Sequence, residues 1–247
     1  MALIPPPRVI DNGYPTSARF PMPETDWHRI LMCTLIDTLI RHFAGQRVYT
    51  SGNLLIFYEE GNRRRHVSPD VFVTRGVEHH PRPNYLVWQE GKAPEFVIEL
   101  TSSTTRTNDL TTKRDLYRDV LRVKEYFLFD PFGDYLEPRL QGYRLRGGQY
   151  VAIRPRAGRL PSRVTGLHLE QSGDDLRLWN PATAAWLPTE KELIEAQQQQ
   201  IAALQRNPFQ QQLDAQQAQL EAQQQQIAAL RAQLAALGHQ TNGNGAH

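Results

Sequence analysis

The sequence has little of what marks secreted and membrane proteins. Its 247 residues contain one cysteine, Cys33, so no internal disulfide can form. Cys33 lies in the apolar stretch 30–33, where we expect a buried, inert thiol and a reducing compartment. No uninterrupted apolar run approaches the roughly 18 residues of a membrane span, and prolines interrupt the apolar start after residue 4. We therefore expect a soluble cytoplasmic protein.

The sequence also lacks a large excess of positive or negative charge and has no glycine-rich phosphate-binding loop. The net charge is +2, and the three basic and five acidic residues after Pro188 leave +4 on the preceding part. This charge is compatible with a local phosphate-facing patch but does not require one. Gly147-Gly148 is typical of an isolated hairpin turn and not of a phosphate-cradling loop, so nucleotide hydrolysis is not indicated.

Composition divides the chain into four parts. Residues 1–23 form a proline-rich N-terminal arm, and residues 24–187 have the aromatic, branched and turn residues of a folded domain. Residues 188–237 are rich in Gln, Ala and Leu. Residues 238–247 offer nothing to bury, and we expect them to be disordered.

The Gln-rich part contains a heptad pattern. Leu213, Leu220, Ile227 and Leu234 are seven residues apart, which predicts a helical coiled coil and a homo-oligomer. The segment 195–205 recurs as 221–231 with one difference. Because Pro208 lies in the first half, we expect two helical pieces with a break or a register shift between them. Plain disorder is the alternative that this composition leaves open.

The folded domain has the pattern of a mixed α/β protein. Apolar residues at helical spacing follow Thr25 and stop at Gly45, which predicts a first helix, and a second is expected over 109–121. Strands are expected at 47–50, 54–58, 66–73, 95–100, 126–130, 142–145, 150–153 and 176–179. The strand–helix–strand crossover between Glu99 and Phe129 implies a parallel pair at the centre of the sheet.

Two carboxylates lie where a core would not favour them. Glu99 interrupts the apolar run 96–100, and Asp70 opens the run 70–73. Burying such a group costs several kcal/mol (about 2–7 for neutral polar groups, more for a charge) unless a partner compensates. Alternatively, Asp70 caps a turn after Pro69, and Glu99 points to water from an edge strand. Lys113, at the start of the second helix, is by itself typical of a solvated surface lysine.

These three residues together suggest phosphodiester chemistry. A hard cation such as Mg²⁺, with Mn²⁺ as a substitute, is commonly held by one or two carboxylates, waters and phosphate oxygens. A nearby lysine can orient water or neutralise charge on the phosphate. His28 and His66 are candidates for proton transfer, although structural roles are favoured for both. The basic cluster 63–65 fits a phosphate backbone or a solvated turn equally well.

Several runs occur together in this chain: Ser68–Val73, Val97–Ser102, Asp109 with Lys113 and Tyr117, Glu125–Pro131 and Tyr135–Tyr143. In combination they resemble the Uma2 family of restriction endonucleases in the PD-(D/E)XK superfamily. The resemblance implies a restriction-endonuclease-like mixed β-sheet flanked by helices. The C-terminal helical coiled coil, predicted from the heptad pattern, is an addition in this chain. The resemblance also implies a magnesium-dependent endonuclease acting on DNA.

The resemblance assigns roles to individual residues. It implies that Asp70 and Glu99 bind magnesium and that Lys113 is catalytic with them. The superfamily places a lysine two residues after the second carboxylate, where this chain has Thr101, so the resemblance suggests that Lys113 has taken over this role. Glu24 stands where an additional acidic residue is often found. The alternative function is a catalytically silent scaffold that keeps the nuclease fold and acts through its coiled coil.

Overall fold

The computed structural model describes residues 25–102, 105–134 and 136–241. The predicted arm 1–23 and Glu24 lie outside these residues, as do residues 242–247. The chain divides into two compact units, Met1–Glu190 and Lys191–His247.

Four helical segments are present in the described residues. They are α1 (Asp26–His42), α2 (Val87–Glu90), α3 (106–120) and α4 (Glu190–Thr241). The side-chain oxygen of Thr25 accepts a hydrogen bond from the backbone N–H of His28, so Thr25 caps the start of α1 as its sequence predicts. The α-helical start of α3, Arg106–Asn108, is followed by two π-helical stretches, Asp109–Lys113 and Leu116–Val120.

Within the described ranges, thirteen strands form three sheets. The strands are β1 (Val48–Ser51), β2 (Ile56–Phe57), β3 (His66–Val67), β4 (Val71–Arg75), β5 (Tyr85–Leu86), β6 (Phe96–Leu100), β7 (Glu125–Phe129), β8 (Leu140–Arg146), β9 (Gln149–Ala152), β10 (Leu160–Pro161), β11 (His168–Ser172), β12 (Asp175–Asn180) and β13 (Ala185–Trp186). The main sheet has the order β1-β4-β6-β7-β8-β9, and the smaller ones are β10-β11-β12-β13 and β3-β2-β5. In the main sheet β6 and β7 are parallel, as predicted, and the other pairs are antiparallel.

Both faces of the main sheet are covered. One face packs with α1 and the four-stranded sheet, and its core includes Leu35, Ile98 and Phe127. The other face packs with α3 and the three-stranded sheet, and its core includes Val97 and Tyr117. Because both faces are buried, the central strands are continuously apolar apart from a few polar residues that require a partner.

Three expectations about the folded unit need correction. The predicted strand 66–73 is divided at Pro69, so that β3 pairs with β2 while β4 joins the main sheet. The four-stranded sheet was predicted only at β12, because its other strands are short and weakly patterned. The predicted burial of Cys33 is wrong, since its side chain is exposed. Leu31 and Leu35 define the buried face of α1, and position 33 points about 200° away from Leu31.

The C-terminal unit is one helix. α4 runs without a break from Glu190 to Thr241, so the predicted interruption at Pro208 is absent and residues 238–241 are helical, not disordered. The coiled coil itself is not shown by this single helix. Leu213, Leu220, Ile227 and Leu230 are exposed along it. None of the described helices combines the length and hydropathy that crossing a membrane would require.

Candidate active site

Asp70 and Glu99 lie side by side at one end of the main sheet. Val71 pairs with Ile98 in the antiparallel ladder of β4 and β6, so the residues just beyond this pair, Asp70 and Glu99, are neighbours. Alternate residues of a strand share a face. Glu99 therefore shares the face of Val97, which belongs to the core under α3. The pairing of these strands thus brings two carboxylates together below one helix.

Hydrogen bonds hold the Asp70 carboxylate. Its Oδ2 accepts a hydrogen bond of 2.7 Å from the backbone N–H of Leu100. Its Oδ1 lies 3.3 Å from Nε2 of His28, near the start of α1. Burial alone would raise the pKa of Asp70, but the contact with His28 and the charge of Lys113 hold this pKa below its ordinary value. Asp70 is therefore ionised at neutral pH.

Glu99 is fully buried, with 0% exposure, and both of its oxygens have donors. Nζ of Lys113 donates to Oε2 at 2.8 Å, and the hydroxyl of Tyr117 donates to Oε1 at 2.6 Å. Burial raises the pKa of Glu99 to about 8; the Lys113 charge opposes this shift, while the charges of Asp70 and Asp109 add to it. Glu99 therefore retains a proton more readily than Asp70 does.

Lys113 lies between two buried carboxylates. Its ammonium is 2.8 Å from Oε2 of Glu99 and 3.1 Å from Oδ1 of Asp109, one helical turn earlier. Burial alone would lower the pKa of Lys113, but the charges of Glu99, Asp109 and Asp70 outweigh it and raise this pKa above the ordinary value. Lys113 is therefore a permanent cation, and it cannot act as a base near neutral pH.

The π-helical turns of α3 place these groups. In an α-helix four residues turn through about 400°, so side chains at positions 109, 113 and 117 would drift around the axis by about 40° per step. The wider i→i+5 turn reduces this drift. Asp109, Lys113 and Tyr117 consequently all face the sheet. The hydroxyl of Tyr126 on β7 fixes this turn by donating to the backbone oxygen of Asp109 at 2.9 Å.

The structure thus brings Asp70, Glu99 and Lys113 together, and Asp109 completes what we call the carboxylate cluster. His28 contacts this cluster, although a structural role was favoured for it. His66 does not; its ring packs on Phe57 and lies 3.1 Å from the backbone oxygen of Arg63.

Two residues that contact the Lys113–Glu99 pair, Asp109 and Tyr117, were indicated in the sequence only by the family resemblance. Asp109 is four residues before Lys113 and Tyr117 four residues after it. This spacing is a residue-level signal that could have predicted a shared helical face. The partner of Tyr117, Glu99, could not be predicted in this way because it belongs to a distant strand.

The sequence profile of the Uma2 family, described as "putative restriction endonuclease", matches residues 19–175. The chain belongs to the Uma2 family. The predicted resemblance is therefore confirmed, and the match to Uma2 spans both strands and the helix of the carboxylate cluster.

A solved structure of similar description was also found. It is a "putative nuclease belonging to DUF820" from Anabaena variabilis, 17% identical to this Uma2 chain, with a TM-score of 0.43 over 61% of this chain and 80% of the other. No curated protein matches the chain.

Proposed function

We propose that this chain is a metal-dependent endonuclease that hydrolyses DNA phosphodiester bonds at the carboxylate cluster. The observation that carries the proposal is the convergence of Asp70, Glu99 and Lys113 at one end of the sheet. Two further facts support it: the chain belongs to a family described as restriction endonucleases, and its fold is a mixed α/β sheet flanked by helices. A restriction-endonuclease-like architecture is part of the same proposal.

The residues of the cluster fit a divalent cation. Three carboxylates face one ammonium, which leaves excess negative charge that Mg²⁺ or Mn²⁺ would neutralise. Asp70 and Glu99 are the two that would hold the ion. In addition, Oγ1 of Thr101 is buried with no hydrogen-bond partner among the described residues, and it shares the face of Glu99 by alternation. An unsatisfied oxygen at this position suits a bound cation or its water.

The described residues include no group of three His, Cys, Asp or Glu side chains arranged to hold a metal ion. This finding does not conflict with a magnesium site, because Mg²⁺ is usually held by one or two carboxylates and completes its shell with waters and substrate phosphates. Asp109 faces Lys113, so we assign it to positioning that ammonium and not to the ion.

Each residue then has a separate task. The cation, when bound, supplies a more acidic water and charge neutralisation at the phosphate. Asp70, ionised at neutral pH, is ready to bind, whereas Glu99 must first release its proton. Lys113 remains protonated and donates hydrogen bonds toward negative charge that develops on the phosphate. Tyr117 holds the Glu99 carboxylate in one orientation.

We propose also that α4 mediates self-association with a second copy of this chain. Leu213, Leu220, Ile227 and Leu230 are exposed on it, and their heptad spacing is the pattern by which identical helices pair. A helix of 52 residues is about 78 Å long and is not stabilised by its own exposed leucines, which favours a partner helix. Two copies would supply two active sites for a duplex of two strands.

The direct test is nicking of supercoiled plasmid DNA. We expect wild-type protein to convert the plasmid to open-circular and linear forms with Mg²⁺ or Mn²⁺ and to leave it intact in EDTA. Plasmid cleavage separates this proposal from the catalytically silent scaffold, and calorimetric titration with Mg²⁺ tests metal binding independently of turnover. The scaffold would leave the plasmid intact under all conditions, and titration would then show whether an inactive site still binds the metal.

A further inference from the structure

A cavity of about 370 Å³ lies beside the hairpin of β8 and β9, outside the carboxylate cluster. Five arginines line it: Arg144, Arg146, Arg154, Arg156 and Arg163. The volume falls within the range typical of ligand sites. Such a concentration is unusual in a chain whose net charge is only +2.

Only one of the five arginines has a carboxylate partner among the described residues. Nε of Arg144 donates to Oε1 of Glu125 at 2.7 Å, and its Nη2 donates to the backbone oxygen of Pro161 at 2.8 Å. Glu125 is itself buried and also accepts hydrogen bonds from Ser162 and from the backbone N–H of Arg163. Arg144 and Glu125 therefore form the fixed frame of the cavity.

The other four guanidinium groups are solvent-exposed, and no acidic side chain within 4.0 Å neutralises them in the described part of the chain. Their field reaches neighbouring groups: burial lowers the pKa of His168, and the charges of Arg159 and Arg156 lower it further. An adjacent cavity of about 480 Å³ differs, because Glu95 and Glu125 balance part of its basic lining. The excess positive charge is thus larger in the first cavity, whose lining contains no acidic side chain.

The cavity lies away from the carboxylate cluster. Glu125 pairs with Phe96 in the sheet, three residues before Glu99 and so about 10 Å from it along the strand. Glu125 also shares a strand face with Phe127, which packs on the α1 side, whereas Glu99 faces α3. A phosphate in this cavity is consequently not the one that is cleaved.

We propose that this arginine cavity is a second nucleic-acid contact, which binds phosphates of the sugar–phosphate backbone on the sheet face opposite the carboxylate cluster. Guanidinium groups bind phosphate oxygens through paired hydrogen bonds. Four unpaired cations exceed the charge of a single phosphate, and their exposure leaves the cavity open to a chain that continues beyond it. The proposal takes its ligand class from the proposed function and extends it to a new surface.

The test is fluorescence anisotropy of a labelled DNA duplex, titrated with full-length protein in EDTA over a range of salt concentrations. EDTA removes metal-dependent cleavage, so failure of the nuclease proposal does not affect the result. We expect Arg154→Ala/Arg156→Ala to weaken DNA binding. The magnitude of the slope of log K against log[salt] should fall by about 2, since each lost phosphate contact lowers this magnitude by about 0.9. Arg154→Lys/Arg156→Lys keeps the charge and should retain most of the slope.

The matched control is Arg47→Ala/Lys92→Ala, which removes two exposed cationic side chains that do not line the cavity. An equal loss in both double variants would show general electrostatics and overturn the proposal. Unchanged DNA binding in Arg154→Ala/Arg156→Ala would also overturn it. Tripolyphosphate serves as a small phosphate probe in a separate titration. If Arg154→Ala/Arg156→Ala abolishes one saturable tripolyphosphate site and leaves the DNA isotherm unchanged, the proposal is also overturned, because the cavity then binds a small phosphate ligand and not DNA.

Discussion

Nζ of Lys113 on α3 donates a 2.8 Å hydrogen bond to Oε2 of Glu99 on β6, fourteen positions earlier in the chain. This contact puts an ammonium beside the second carboxylate, although Thr101 occupies the position where the sequence resemblance would place a lysine. The crossover from β6 through α3 to the parallel strand β7 makes the contact possible, because it returns the helix over the strand it has just left.

Removing this ammonium separates a catalytic role from a structural one. We expect Lys113→Met to reduce plasmid cleavage by about 100-fold or more, since a donor aimed at developing charge is lost. Mg²⁺ affinity should not fall, because a competing cation leaves the site. The exposed Lys92, which donates to the backbone oxygen of Arg75, is the control position, and Lys92→Met should retain activity. Equal loss of cleavage and metal affinity in Lys113→Met would indicate a collapsed site instead.

Metal binding should depend on pH through Glu99. Its pKa of about 8 means that most apoprotein carries a proton there at pH 7, and binding must release it. The apparent Mg²⁺ affinity is expected to rise by up to about tenfold per pH unit between pH 6 and 8 and to level off above. Calorimetry in buffers of different ionisation enthalpy would detect the released proton. The same affinity at pH 6 and pH 9 would contradict this role.

The stability of the metal-free protein should also depend on the ionisation of Glu99, but it should decrease as pH rises. The pKa of Glu99 is raised from 4.5 to about 8 on folding, so between these values the folded state holds a proton that the unfolded state has lost. The free energy of unfolding therefore decreases as pH rises through this window. Urea unfolding in EDTA should show a shallower decrease in Glu99→Gln. Some decrease should remain, because burial also raises the pKa of Asp109. Parallel curves for both proteins would rule out the shift.

The exposed stripe of α4 predicts self-association. Leu220→Glu/Ile227→Glu places charges on the stripe and should convert an oligomer to a monomer in sedimentation velocity experiments. Ala218→Glu/Gln225→Glu adds the same charge two positions before each of these residues, away from the stripe, and should leave the oligomer intact. A wild-type protein that is already monomeric at micromolar concentration would exclude the coiled coil.

Strong local patterns predicted the elements that hold the site. The apolar runs around Asp70 and Glu99 predicted β4 and β6, and the crossover predicted their neighbour β7 as a parallel strand. The sequence also predicted that each buried carboxylate needs a partner. The proximity of the two carboxylates depends on the antiparallel pairing of β4 and β6. Lys113 could be linked to them only through family resemblance, since a single lysine on a helix has no distinctive pattern.

Other features depend on tertiary context. The contact of His28 with Asp70 joins α1 to a strand far along the chain, and spacing gives no signal for it. The strands β11 and β13 are defined by pairing with β12, and β10 by pairing with β11, more than by their own sequences. Pro208 predicted a break that α4 does not have. Its ring removes one backbone donor, but the favourable helix formers around it outweigh that local loss.

Plasmid nicking by isosteric carboxylate variants tests the central claim most directly. Asp70→Asn and Glu99→Gln keep the side-chain shape while removing the charge. Asp115→Asn is the control, because it changes an exposed carboxylate of α3 that lies outside the cluster. With Mg²⁺ present, the account predicts cleavage by wild type and by Asp115→Asn and loss of cleavage in the two cluster variants. Equal cleavage by all four proteins would contradict it.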